Sequence, residues 1–417
     1  SYAVGYVISN EKFWEPITPY VNLLKFKASY GEIGNDQIGG NRRFAFNTTM
    51  KYSHGFIWGT NASHGNQTGT GVTTGDVGNA NVSWEKAVKK NIGFELGLFN
   101  SSFSLQADYF YEKRSGIFIL QESIPTVVGN NVKQYVNLGK MRNQGIDLTA
   151  EFNKPFGDWF VSARGTFTYN RNRKVYDDKP TPQYPYLSEA GFPYLQDRGL
   201  VALGLFESEE DIANSPRQTF GAVVRPGDIK YKDINGDNVI DANDMIAIGY
   251  SQIPEISYGF GASVTWKGID LSVFFQGVGH ITRMLSGTTF WGAGGVDMVQ
   301  QGQIFAEVAE NRWSLSNPDP NAMYPRLATT KVENNQQAST YWQRDCSFIR
   351  LKNAEIGYTF PKKWFAKAGI SNVRLYVSGN NLLTWSKFKL WDPELESNNG
   401  EKYPQMRTAA VGLNVNF

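Results

Sequence analysis

Residues 92–111 read IGFELGLFNSSFSLQADYFY. Ile92, Phe94, Leu96 and Leu98 share one parity, with Gly93, Glu95 and Gly97 on the other. After a break at Asn100–Ser102 the alternation resumes. Phe103, Leu105, Ala107, Tyr109 and Tyr111 are apolar or aromatic, and Ser104, Gln106 and Asp108 lie between them. A period of two is the signature of a strand with two unlike faces. Here it persists for about ten residues per arm, the length that a tilted strand needs to cross a bilayer.

The pattern recurs along the chain. Ile146, Leu148, Ala150 and Phe152 alternate with Asp147, Thr149 and Glu151. Trp159, Val161, Ala163, Phe167 and Tyr169 oppose Ser162, Arg164, Thr166 and Thr168. Ile256, Tyr258, Phe260, Val264 and Trp266 alternate with small and polar residues up to a tight Lys267–Gly268 turn, after which Asp270 and Ser272 resume the polar face. Leu24, Phe26 and Tyr30 oppose Lys25, Lys27 and Ser29, and Val373, Leu375 and Val377 oppose Arg374 and Ser378. A soluble antiparallel sandwich would alternate in the same way. Two features favour a membrane barrel. The strands exceed the five or six residues usual in sandwiches. Short turns at 99–102, 153–158 and 267–268 also alternate with long loops near 114–140, 171–255, 279–345 and 380–406, as in outer-membrane barrels. Charges in the phased spans keep to the parity away from lipid, where each would otherwise cost about 2–4 kcal/mol. One segment, 346–360, changes phase near Lys352–Ala354, which reads as a bulge or loop–strand junction.

Composition is compatible with this reading. The 417 residues carry a formal net charge of +2, which supplies no field for nucleic acid. A single cysteine, Cys346, excludes an internal disulfide framework and a cysteine zinc site. His54, His64 and His280 have no metal or triad spacing. Aromatic residues make up 14% and charged residues 19%, a mixture suited to greasy and wet zones side by side. Mean hydropathy is −0.40 and no run of about 18 apolar residues occurs, so no membrane helix is expected. A barrel remains compatible, because its alternating faces average to moderate polarity. The opening SYAVGYVISNEKFW resembles the middle of a strand, with the expectation that the chain is the C-terminal part of a longer polypeptide. The end, TAAVGLNVNF, places Val415, Leu413, Val411 and Ala409 in step behind Phe417, the form of a closing strand whose terminal aromatic acts as an assembly signal.

LKFKASYGEIGN (24–35), WEKAVKKNIGFELGLFNSSFSLQADYFYEK (84–113), NQGIDLTAEF (143–152), the stretch 227–277, FIRLKNAEIGYTFPKKW (348–364), NVRLYVSGNNLLTWSKF (372–388) and DPE (392–394) occur in order along most of the chain. Together they resemble the C-terminal barrel half of the SusC/RagA-like TonB-dependent transporters. The resemblance implies an all-β fold: the C-terminal portion, over residues 1–417, of a transmembrane antiparallel barrel of about 22 strands. Its long loops would be extracellular and its short turns periplasmic. It also implies an N-terminal plug, coupling to TonB through that part, and a SusD-like surface lipoprotein closing over the barrel as a lid. The protein would then be a non-enzymatic importer in the outer membrane, taking up oligosaccharides or, in the RagA branch, oligopeptides. A dimer of transporter–lid pairs fits the family. About a dozen strands can be laid along these residues at bilayer-crossing length, without a plug or TonB box among them. A passive or adhesive barrel and a soluble carbohydrate-active protein are the competing readings.

Within that frame, 227–250 is an extracellular loop containing DINGDNVIDAND. Asp233, Asn235, Asp237, the Val239 carbonyl, Asp241 and Asp244 fall at positions 1, 3, 5, 7, 9 and 12 of a calcium loop. Hard oxygens at alternating positions suit Ca²⁺ or Mg²⁺, since converging carboxylates repel one another without a cation. Asn238 replaces the usual turn glycine, Asp244 is shorter than the usual Glu, and flanking helices are missing. These departures argue against a sensor. They leave a structural ion or an acidic turn as alternatives.

Other candidates are less specific. GTGVTTGDVG (69–78) lacks the lysine of a phosphate loop and reads as a plain loop. Glu207, Glu209, Glu210 and Asp211 suggest either glycosidase carboxylates or a solvated acidic segment. Trp291, Trp313 and Tyr324 are the candidate substrate contacts, with loop packing or an interfacial belt as the alternatives. Glu95, Asp108, Asp147, Glu151, Arg164, Asp270 and Arg374 are expected to line the lumen as pore walls.

Overall fold

The alternating segments form one antiparallel sheet. A computed structural model describes residues 1–37, 44–53, 57–58, 67–68, 71–125, 127, 133–221, 223–291, 304–328, 330–365, 367 and 369–417. His54, His64 and Gly69–Thr70 lie outside the described residues. Eleven strands follow one another across the sheet in chain order: β1 (Tyr2–Val7), β2 (Val21–Asn35), β3 (Glu85–Leu98), β4 (Phe103–Leu120), β5 (Lys133–Phe156), β6 (Trp159–Tyr176), β7 (Ile256–Trp266), β8 (Ile269–Gly279), β9 (Phe348–Thr359), β10 (Asn372–Ser386) and β11 (Thr408–Asn416). A twelfth short strand, Asp76–Val77, pairs parallel with Lys133–Gln134.

The links alternate in kind. Residues 8–20, 99–102, 157–158, 267–268 and 360–371 are the turns at one end, and every long connection leaves the other end. At Lys267–Gly268 both residues take positive φ, 45° and 89°, as a two-residue hairpin requires. The turn expected over 153–158 is tighter than that, because β5 runs to Phe156. Strands β4, β5 and β6 also reach further into the loops expected at 114–140 and 171–255, and β10 runs into the loop expected at 380–406. Their 18, 24 and 18 residues exceed what a bilayer needs, so β4–β6 project above it. The phase slip near Lys352 is a bulge. The register steps from Phe274 to Phe275 on one side of β9 and from Leu351 to Asn353 on the other.

Register aligns like with like across strands. One row runs Val4–Ala28–Ile92–Tyr109–Ile146–Tyr169–Ile256, and the next runs Lys27–Gly93–Asp108–Asp147–Thr168. The apolar rows are open to the surroundings: Ile92 is 65% exposed, Val411 74% and Leu413 61%. The main hydrophobic core lies elsewhere. Leu200, Leu205, Ile229, Tyr231 and Ile240 come from the β6–β7 loop. Phe290, Trp313, Tyr324 and Trp342 come from the β8–β9 loop, and Phe388 from the β10–β11 loop. Three connections thus build one folded cap at the long-loop end.

Candidate functional site

All seven residues expected on the pore wall share one face of the sheet, and most are paired there. Lys25 and Lys27 of β2 reach Glu95 on β3, at 3.3 and 3.5 Å, and Lys27 also reaches Asp108 on β4 at 3.0 Å. Asp147 accepts from Thr168 Oγ1 at 2.7 Å, and Arg164 Nε lies 3.3 Å from Glu151. Arg374 Nε donates to Asp270 Oδ1 at 3.0 Å, while Nη2 reaches Asp270 and also Glu355, 2.6 Å away.

Two of these pairs span an intervening strand, and a glycine makes each possible. Gly93 stands between Lys27 and Asp108 in the register, and a Cβ there would lie 2.3 Å from Asp108 Oδ1. Gly357 stands opposite Asp270, and a Cβ there would lie 2.5 Å from Arg374 Nη2. Sequence reading found Asp108, Asp270 and Arg374 of these bridges. It did not assign partners, because register is a property of strand pairs and not of a strand.

The cap is held by buried polar links as well as by its core. Asp228, fully buried, accepts from Arg326 Nη2 at 2.9 Å, Asn335 Nδ2 at 2.8 Å and the Arg225 N–H at 2.8 Å. The Leu200 N–H donates to the Ala338 carbonyl at 2.9 Å, joining two loops. Burial pushes the Cys346 thiol up to about 12. Asp211 is pulled down by its bond from Lys230, 2.7 Å away, and Ser208 caps the short helix α1 (Glu209–Ala213). Glu209, Glu210 and Asp211 therefore fill the first turn of that helix.

Two of the three aromatic candidates are corrected by the structure. Trp313 is 6% exposed and Tyr324 is 0% exposed, so both rings pack the cap and offer no face to a substrate. Tyr324 lies 6.1 Å from the Phe290 ring and 6.4 Å from Trp342. Trp291, half-buried, lines a cleft with Phe220, Lys331, Glu333 and Gln337.

The acidic loop closes on its own backbone. Asp233 accepts from the N–H groups of Gly236 at 2.6 Å and Asn238 at 2.8 Å, and Asp237 accepts from Val239 at 2.8 Å. Asp241 accepts from Asn243 at 2.7 Å. The buried Asp244 accepts from Ile234 at 2.8 Å and Asp241 at 2.9 Å. Gly236 and Asn238 both take positive φ. Asn235 binds Asp237 through its side chain, and Val239 enters a short strand with Ile240. Among the described residues no three carboxylate, histidine or cysteine side chains gather as a metal-holding group. In this arrangement each of the four aspartates accepts from N–H groups of the loop itself.

A meandering sheet with an apolar outer face, an ion-paired opposite face and long loops at one end is the wall of a membrane β-barrel. The model of the TonB dependent receptor-like β-barrel matches residues 3–382, and the chain belongs to that family of outer-membrane proteins. Among relatives, TonB-dependent receptor P26 of Formosa agariphila is 28% identical over 442 residues, covering 100% of this chain and 42% of that protein. TonB-dependent receptor SusC of Bacteroides thetaiotaomicron is 23% identical, covering 100% and 40%. A solved structure of the RagAB peptide importer in its open-open state superposes with a TM-score of 0.73 at 25% identity, over 100% of this chain and 42% of that one. The chain thus spans about 42% of the length of the first of these relatives.

Proposed function

We propose that the chain forms the C-terminal wall of an outer-membrane importer that takes up oligosaccharides, driven by TonB and covered by a SusD-like surface lipoprotein. The observation that carries this is the division of the sheet into an exposed apolar face and an ion-paired face, together with family membership. The ion-paired residues would face the lumen, where most of their charges are met by partners within the wall. Trp291 beside Glu333, Lys331 and Gln337 has the chemistry that recognises sugars: a ring to stack on, with carboxylate, ammonium and amide groups beside it. No catalytic role is assigned to any residue. Oligopeptide uptake is the second reading, favoured by the likeness to RagAB.

The test is uptake of labelled oligosaccharides and of peptides by cells with and without the full-length gene, with capture of the lipoprotein partner from mild detergent. Uptake of neither substrate class overturns the importer, and peptide uptake alone selects the second reading. A Ca²⁺ or Mg²⁺ ion in 233–244 is a separate proposal, supported by oxygen spacing. Calorimetry at millimolar Ca²⁺ that shows no heat discards it. Phe417, directly after β11 and 88% exposed, is proposed as the terminal aromatic of the assembly signal. Phe417→Ala should lower barrel assembly in cells, and unchanged levels in the membrane reject that role.

A further inference from the structure

The apolar face of the sheet does not end in neutral residues at the long-loop end of β3–β6. On β4 the outward residues from Phe103 to Tyr111 span about 27 Å at the usual rise of ~3.4 Å per residue. A tilt of about 40° reduces this to about 21 Å, close to the ~25 Å apolar band of barrels. The next outward residue is Lys113. In register it faces Arg142 of β5, which faces Arg173 of β6. One step below, Lys90 and Arg171 stand in the row with Tyr111 and Gln144, and one step above stands Lys140.

Like charges directly opposite one another destabilise a sheet. Counter-charges on the protein are few here. Arg171 pairs with Glu255 at 3.3 Å, Arg173 donates to the Gly191 carbonyl, and Lys140 lies over the Tyr176 ring. Lys90, Lys113 and Arg142 are exposed and have no carboxylate partner among the described residues. Glu32, on the same face, accepts from the Tyr30 hydroxyl at 3.1 Å and makes no ion pair with these cations among the described residues. The feature is local, since β7 and β8 carry no Lys or Arg within their spans.

We infer that this outward cationic row binds the phosphate groups of a phosphorylated lipid in the leaflet on the long-loop side. The argument is one of height and charge. The row sits where headgroups begin, beside Tyr30, Tyr109 and Tyr111, and repulsion between registered cations is relieved by shared anions. It rests on the outward orientation of the apolar face and not on the substrate reading.

The experiment uses the full-length protein extracted in mild detergent. Retained lipid is read by native mass spectrometry, and binding is read in phosphatidylcholine nanodiscs with or without added lipid A. Wild type should retain phosphorylated lipid. Removing three cations (K113Q, R142Q, R173Q) should weaken lipid A binding by roughly 100-fold. R142E places an anion between two cations, so it should keep or raise the melting temperature while losing the lipid. It decides the matter if the triple variant fails to assemble. Equal retention by wild type and R142E overturns the inference. So does wild-type retention of no phosphorylated lipid, or a thermal shift from inorganic phosphate equal to that from lipid A.

Discussion

The sheet and the loop-built cap use hydrophobic residues in opposite ways. In the cap, Leu200, Ile229, Phe290 and Tyr324 are fully buried against one another, as in any water-soluble domain. In the sheet, Ile92, Leu271, Ile356 and Val411 lie open, and most charged residues at the height of these apolar rows are paired on the other face. The difference follows from solvent. The cap folds by hiding apolar area from water. The sheet only has to satisfy its backbone hydrogen bonds and keep charge off lipid. Mutations should therefore act by unlike rules in the two regions.

The largest effect is expected in the cap. Asp228→Ala leaves the Arg326 guanidinium without its partner and frees the Arg225 N–H and the Asn335 amide, at a cost of about 3–5 kcal/mol to the cap. Hydrogen exchange should rise across 225–231 and 326–335, while the heat-modifiable mobility of the barrel stays unchanged. Simultaneous loss of both would show that cap and sheet fold as one unit.

Next comes a test of the faces themselves. Leu148 and Thr149 are neighbours with opposite orientation, in register with Ala107 and Gln106. Leu148→Arg should destabilise the full-length barrel by about 2–4 kcal/mol in lipid, and Thr149→Arg by much less. Denaturant titration in vesicles measures both. Equal costs would mean that the apolar face does not meet lipid.

A third test probes the strand-spanning bridges. Gly357→Ala puts a methyl group where the Arg374 guanidinium lies and should cost about 1–3 kcal/mol by overpacking. Gly357→Ala combined with Arg374→Ala should recover part of that loss. No recovery would mean that the glycine serves strand geometry instead of the bridge.

Much of the sheet was legible in the sequence because period two is a local property. The Lys267–Gly268 turn, the Lys352 bulge and the common face of Glu95, Asp147 and Arg374 all follow from it. The strand ends were not legible, since above the membrane nothing forces alternation, and so the cations at Lys113, Arg142 and Arg173 escaped notice. The cap was not legible either. Its core joins Leu200 to Trp342 and Phe388 across three loops, and no short-range pattern records such contacts. For that reason substrate contact and loop packing stood side by side as readings of Trp313 and Tyr324, which are core residues.

The smallest effect belongs to the seam between the two regions. Glu189, in the β6–β7 loop, holds Lys174 at the end of β6 and Lys179 of the same loop. Burial pushes its carboxyl up, but the two ammonium groups outweigh burial and pull it down to about 2 from its ordinary 4.5. A carboxyl depressed in the folded state adds stability that is fully present above 4.5 and is lost as pH falls towards 2. Glu189→Gln removes that contribution. The melting temperature of the wild type should therefore exceed that of E189Q by a constant, small margin above the ordinary carboxyl range, and the two should converge on acidification. The margin is small because the pair is partly exposed and screened by salt. If the two curves stay parallel down to the acid limit, Glu189 is held by shape and not by charge, and the cap is attached to β6 by packing instead of by this ion pair.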